Sequence, residues 1–468
     1  MPRPADSVKP VGTGYEWLSA LAVVVVVFVV YALTAARTVV LEDDGLFVMA
    51  SFNAGVAHPP GYPLYALLGY FFSWLPVDPP AFRIHLLSGL LGALACGVLF
   101  FVSRLAGLPR WFALTVALAC GVSEHFWSQA VIAEVYTLNA LLCFSVLLFC
   151  LRAVAKDARP ARELTCAAFC FGLGLANHWP LLVLAFPGYV ILLWSKRRFV
   201  RPHLPKLLGI ALATAGALYL WMVWRSVQVD AVSFYGPIDS LEKFWYYLSR
   251  QGYDSADVSP SAGLADKLNF LRHFLGEVFF LFSPAGVPLA LLGIYQLYRQ
   301  RARALLAATV WIFLAHSLLL ILLLGFDYDF LKLAVFRPYP LVAYGMMAVW
   351  VGCGLTLIWE WLRQQLPDWS GNAVFNTLPT LALLIPMLLL QKNLVINDRS
   401  DDRVAENYAR LLLEGLEDNA VLFVTGDLST GPVGYLHYVA GVRPDVTLMS
   451  TQGLIYPTRL FSSPTTRE

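Results

Sequence analysis

Residues 41–65 read LEDDGLFVMASFNAGVAHPPGYPLY, and they follow the almost unbroken apolar run Trp17 to Ala35. Such a run is a membrane-spanning helix, because a hydrocarbon core about 30 Å thick takes roughly 20 apolar residues in helix. Three adjacent acids, Glu42, Asp43 and Asp44, therefore stand where the chain leaves the bilayer. The apolar residues after them cannot form a second span. His58-Pro59-Pro60-Gly61-Tyr62-Pro63 removes backbone donors and disfavours helix. The loop, residues 37–83, is expected to hold two short helices, about Leu46 to Val56 and Leu64 to Leu75, lying along the interface.

The same reading extends to the whole chain. Of 468 residues, 58% are hydrophobic and 14% charged, a balance no soluble domain of this size keeps in solution. About eleven apolar runs are long enough to matter: Trp17 to Ala35, Ile84 to Ser103, Trp111 to Val122, Val135 to Leu151, Leu164 to Ala176, Pro180 to Trp194, Leu207 to Trp224, Val278 to Leu297, Ala304 to Gly325, Ala334 to Leu362 and Val374 to Leu390. The fold class is an all-α polytopic membrane protein. Arg104, Arg110, Arg159, Arg162, the Lys196-Arg197-Arg198 cluster, Arg299, Arg301, Arg303 and Arg363 fall on one side, which the positive-inside rule makes cytoplasmic. The N-terminus is then cytoplasmic, the first span an uncleaved anchor, and the acids after it external. All seven cysteines lie in predicted spans and read as packing residues. The formal net charge of +2 gives no argument for nucleic acid.

Three external segments exceed simple turns: 37–83, 226–273 and the tail from about Asn397. In the second, Phe244-Trp245-Tyr246-Tyr247 suits the headgroup level. In the third, Asp398 to Gly415 has helical spacing and Ala420 to Thr425 is a short apolar run. Residues 1–395 are thus expected to form the multi-span domain, and 396–468 a small extracytoplasmic α/β segment docked on it.

An acid at a span end either faces water or lines a cavity. Taken alone, Asp43 reads as a solvated loop residue. Other polar groups are predicted at its level, however: Glu124, His125, Gln129 and Glu134, then Asn177-His178, then Asp327 and Asp329. A polar external cavity follows. The spacing of His58, His125 and His178 fits no zinc pattern, and Asp327-Tyr328-Asp329 is too short an acid-x-acid motif to carry a metal site by itself. His85, His203, His273, His316 and His437 read as packing or solvated residues.

Glu42-Asp43-Asp44-Gly45-Leu46-Phe47, leading to Ala57-His58-Pro59-Pro60-Gly61-Tyr62-Pro63-Leu64-Tyr65, resembles the opening motif of the protein O-mannosyltransferase family of the transmembrane protein 260 type. The block Phe126 to Asn139 is similar to that family's second motif and Asn177-His178 to its third. Gly426-Asp427-Leu428, Tyr435 to Tyr438 and Gly441 to Val446 resemble its external segment. The resemblance implies a GT-C-like multi-span glycosyltransferase that uses a polyprenyl-phosphate sugar on the extracytoplasmic side. It also implies an acid in the first external loop as the catalytic residue, here Asp43. The chain departs from the pattern where the family's serine is Asp44 and its glutamate is Leu46, so that, if the glutamate shares in catalysis, either Asp44 stands in for it or the chain is altered in activity.

The expected chemistry follows. Asp43 would act as general base on an acceptor hydroxyl, its pKa raised by low dielectric and by Glu42 and Asp44. Arg337, with Arg83 second, would bind the donor phosphate. His58 and His178 would orient donor or acceptor, and Glu134 would buttress the site. No cofactor is expected beyond the lipid-linked sugar donor, with a divalent metal left open. The partners are that donor, an extracytoplasmic acceptor (a protein, possibly through Ser or Thr, or a glycan) and membrane lipid. The expected setting is a bacterial cytoplasmic membrane. The competing reading is a multi-span transporter or lipid flippase, which should place charges near mid-span in paired broken helices.

Overall fold

The computed structural model describes residues 14–155, 160–228, 231–253, 258–369, 371–451, 453, 455 and 456. Arg159 lies outside them. Helix dominates because long apolar runs in lipid must satisfy their backbone groups internally. Among the described residues, seven helical stretches are long and apolar enough to cross a bilayer. An eighth candidate is the pair Leu264–Leu281 and Gly286–Arg299, broken by an 87° bend. The sequence made one straight span of Val278 to Leu297, so the bend corrects that reading. The run Trp111 to Val122 is a helix of only 12 residues, Arg110–Gly121, about 18 Å long.

One of the seven stretches, Ala161–Ser226, has 66 residues, about 100 Å of helix if straight. It folds back on itself. Helical geometry fails at His178 (φ −122°, ψ 77°), two residues before Pro180. The ring centroids of Phe171 and Phe186 then meet at 5.5 Å, where fifteen residues of straight helix would separate them by about 22 Å. Residues 161–193 are a helical hairpin whose two arms match the separate spans read from Leu164 to Ala176 and Pro180 to Trp194. The third leg, Arg197–Ser226, packs on the first arm, and the Tyr219 hydroxyl donates to the Leu175 carbonyl (3.0 Å).

The basic loop ends gather away from the acids. Arg104 pairs with Glu16 at 2.9 Å, Arg152 lies over the Phe101 ring, and Arg299 pairs with Glu360 at 3.0 Å. At the opposite end the 37–83 loop forms helices Asp44–Phe52 and Pro63–Phe72. The first does not lie on the interface as expected. It is buried from Asp44 to Ser51 because the tail covers it.

That tail comprises a helix, Val404–Glu414, and a parallel pair, β1 (Val421–Val424) and β2 (Thr447–Ser450), joined through the helix Asp427–Gly434. Val421 faces Thr447 and Val424 faces Ser450 in the ladder. Leu413, Val424, Val433, Leu436 and Leu448 share one hydrophobic cluster with Leu46, Val48 and Met49. The backbones approach so closely that a Cβ on Gly45 would sit 2.5 Å from the Gly431 carbonyl carbon. The tail thereby fixes the helix that begins at Asp44.

Candidate active site

The chain leaves the first span, turns through Glu42 in the left-handed region (φ 75°) and enters the Asp44–Phe52 helix, with Asp43 at its N-cap. The two aspartates have different surroundings. Asp44 is fully buried. One carboxylate oxygen accepts from the Val40 N–H (3.0 Å). The other accepts from the Ala133 N–H (2.6 Å) and lies 2.9 Å from His85 Nε2. His85 in turn contacts the Ala36 carbonyl through Nδ1 at 2.6 Å. Asp44 therefore ties the loop to the start of the fourth helix, Pro80–Leu105, and to the 129–135 turn. His85, read as a packing residue, is its buried partner.

Asp43 makes no side-chain cap bond. Its carboxylate lies 3.7 Å from His58 Nε2 and keeps 38% of its side-chain surface accessible. It lines a recess rather than filling one. The surrounding protein nevertheless removes enough water to raise its pKa to about 6, against the positive charge of Arg250, which works the other way. His58 is buried against Phe47, Tyr62, Phe234 and Tyr253. Its loop is held by paired bonds between Val56 and the 232–234 backbone, and by the Tyr247 hydroxyl donating to the Ala57 and Phe234 carbonyls. The same external segment carries Arg250, whose side chain lies over Tyr253 at 5.2 Å.

Glu134 belongs to this group electrostatically. Burial raises its pKa well above the usual carboxylate range, and the nearby charges of Asp43 and Glu42 raise it further. The Glu134 N–H donates to Ser88 Oγ (3.2 Å), and the next carbonyl, Val135, accepts from Asn177 Nδ2 (3.1 Å) at the crest of the 161–193 hairpin. His178 at that crest is buried, with its ring 5.9 Å from Tyr62 and 5.6 Å from Tyr136. Asp43, His58, Glu134 and His178 are thus brought to one place from three segments, the 37–83 loop, the 129–135 turn and the hairpin crest.

Arg337 is beside them but not among them. It closes the short helix Phe330–Phe336, hydrogen-bonds to Glu124, donates to His125 Nδ1 (3.3 Å) and lies 4.0 Å from Glu277. Burial lowers the His125 pKa. These residues line a cavity of about 750 Å³ that also receives Glu42, Arg272, His273, Lys392 and Arg399. Glu42 lines this cavity, and adjacent Asp43 faces His58. Phe280 and Phe330, both exposed, stand at the cavity's lining, where lipid would meet it.

Other candidates have structural occupations. Arg83 donates to the Val77 and Ser73 carbonyls and pairs with Asp78. Asp327 accepts from Ser259 and Ser261, and Asp329 caps the helix at Phe330 through the Lys332 N–H (2.7 Å). Among the described residues no group of three His, Cys, Asp or Glu side chains has a metal-holding arrangement. Sequence reasoning missed Arg250, which reaches the site only through the pairing of residues 56 and 232. It also missed Glu277, although His273 and Glu277 stand four apart on one helix and pair at 2.9 Å.

Residues 43–201 match the family described as "Protein O-mannosyl-transferase TMEM260 N-terminal domain". The chain is 29% identical over 479 residues to protein O-mannosyl-transferase TMEM260 of Mus musculus, covering 96% of this chain and 66% of that protein. It is 23% identical over 472 residues to the protein of the same name from Dictyostelium discoideum, covering 93% and 58%. It therefore spans somewhat less than two thirds of the length of these relatives. In fold it is similar to ArnT from Cupriavidus metallidurans in the apo state, with a TM-score of 0.60 at 14% identity over 95% of this chain and 89% of that one. With undecaprenyl phosphate bound, ArnT gives 0.57 over 93% and 86%. The resemblance carried by the motifs is borne out, and the fold is that of the GT-C glycosyltransferases.

Proposed function

We propose that this chain, similar in sequence to protein O-mannosyl-transferases and in fold to GT-C enzymes, transfers a sugar from a polyprenyl-phosphate carrier to an acceptor hydroxyl on the outer side of its membrane. Mannose and a protein Ser or Thr are the donor sugar and acceptor that the relatives' names suggest. The observation that carries the reading is Asp43: a recessed carboxylate at a span end, free of capping duty, raised to about 6 and set beside His58. A base with that pKa is largely ionised at neutral pH and stronger than an ordinary aspartate.

In the reaction, Asp43 takes the proton of the acceptor hydroxyl as its oxygen attacks the anomeric carbon. The bond from that carbon to the phosphate oxygen breaks, and its electron pair leaves on the phosphate. Attack opposite the leaving group inverts the anomeric centre. The phosphate's place in this reading is the cavity lined by Arg337, Arg272, Lys392 and Arg399, where cationic donors match its oxygens. Its exposed Phe280 and Phe330 suit a carrier embedded in lipid. Asp44 has a positioning task, because both of its oxygens are already occupied.

The basic bundle end, with Arg104, Arg152 and Arg299, supports a cytoplasmic placement for that end and an external one for the site. The titratable groups of the candidate site lie at one bundle end, which fits an interfacial enzyme better than a carrier working at mid-membrane. The test is transfer of labelled sugar from polyprenyl-phosphate mannose to acceptor peptides by reconstituted protein. Wild type should transfer and Asp43→Asn should not, at equal expression. Equal transfer by both would remove Asp43 from the chemistry, and transport of the lipid without transfer would favour a flippase.

A further inference from the structure

Four rings converge beside Asp43 from four different segments. Tyr62 comes from the external loop, in the left-handed region (φ 45°) at the N-cap of Pro63–Phe72. Tyr136 opens the helix Tyr136–Ala155, His178 sits at the hairpin crest, and Tyr339 lies between Phe336 and Leu341. His178 is 5.9 Å from Tyr62, 5.6 Å from Tyr136 and 6.2 Å from Tyr339, while Tyr136 and Tyr339 are 5.8 Å apart. Their planes are inclined by 42°, 42°, 63° and 54° respectively.

A packed aromatic cluster would bury its faces and bond its hydroxyls. This one does neither completely. Tyr136 and Tyr339 are only partly buried. The Tyr62 and Tyr136 hydroxyls have no hydrogen-bond partner among the described residues. Asn177 Oδ1, next to His178, is buried and unbonded among those residues. The ensemble offers inclined ring faces, phenolic donors and a spare amide acceptor. A pyranose needs these: its C–H face lies on aromatic carbon, and its hydroxyls both donate and accept.

We infer that Tyr62, Tyr136, His178 and Tyr339 form the subsite that holds the sugar ring of the donor, a neutral hexose, beside Asp43. The inference rests on the glycosyl-transfer reading, and it assigns the sugar and the phosphate to different walls of the site. The rings recognise the hexose, and the cationic cavity recognises the phosphate whether or not a sugar is attached. Binding without turnover separates the two. Reconstituted protein carrying Asp43→Asn would be measured for binding of labelled polyprenyl-phosphate mannose and of bare polyprenyl phosphate.

The Asp43→Asn protein is expected to prefer the sugar-bearing lipid. Adding Tyr136→Leu and Tyr339→Leu should reduce that preference about tenfold or more and leave the bare phosphate's affinity unchanged. The matching Phe pair, which keeps both rings, should retain most of the preference. An undiminished preference in the Leu pair, or none in its parent, would overturn the subsite while leaving the donor reading intact. Loss of both lipids in the Leu pair would assign the rings to holding the fold and also overturn it. Failure of the Asp43→Asn protein to bind either lipid would sink the donor reading itself.

Discussion

Asp43 and Asp44 are neighbours with the same side chain, and their replacement by asparagine should give opposite phenotypes. In Asp44→Asn one carboxylate oxygen becomes an NH2 group facing either the Val40 N–H at 3.0 Å or the Ala133 N–H at 2.6 Å. A hydrogen bond to a charged acceptor, about 1.5–3 kcal/mol, is lost, and a buried donor is orphaned at a cost of about 1–3 kcal/mol. The sum is roughly 2.5–6 kcal/mol of local destabilisation, and the 2.9 Å contact with His85 is disturbed as well. Asp43→Asn removes no hydrogen bond of comparable quality, only a 3.7 Å contact with His58, and relieves a desolvated charge. Thermal unfolding in detergent, followed by intrinsic fluorescence, should show Asp44→Asn unfolding well below wild type. Asp43→Asn should unfold at or slightly above the wild-type temperature while losing transfer. Equal melting of Asp44→Asn and wild type, or a drop of the same size in Asp43→Asn, would refute the division of labour between the two acids.

Arg250→Ala removes the charge that opposes the raised pKa of Asp43. The acid limb of the rate profile should therefore move to higher pH, by about one unit, as measured by kcat/KM between pH 5 and 9. Gly45→Ala should destabilise the protein and abolish transfer, because its Cβ would meet the Gly431 backbone at 2.5 Å. Gly431→Ala, whose Cβ approaches the Leu46 nitrogen no closer than 3.4 Å, should be tolerated in the same melting and transfer assays. Arg337→Gln leaves Glu124 and Glu277 without their shared cation. It should raise KM for the lipid donor about tenfold or more with a smaller change in kcat.

Much of this was legible in the chain because the physics involved is local. A span followed by three acids and a proline-broken loop puts carboxylates at a membrane boundary. Pro180 after Asn177-His178 announces a break, which the structure turns into a hairpin crest. The eleven apolar runs map onto helices, although the run Val278 to Leu297 is broken at Phe282-Ser283-Pro284-Ala285 by an 87° bend. What sequence could not supply was long-range partnership. The two aspartates look alike until His85, Val40 and Ala133 close around Asp44. The burial of the Asp44–Phe52 helix depends on a glycine contact between residues 45 and 431, which no local pattern marks. Leu46, standing where the family has glutamate, is buried in the cluster shared with the tail.

The central claim is that Asp43 is a base tuned by its surroundings, and the wild-type pH profile tests it most directly. With a sugar phosphodiester as donor, which does not titrate in this range, kcat/KM should rise with pH through a midpoint near 6 and then level off. An unchanged rate from pH 4.5 to 8, or a midpoint near the 3.9 of an ordinary aspartate, would contradict it.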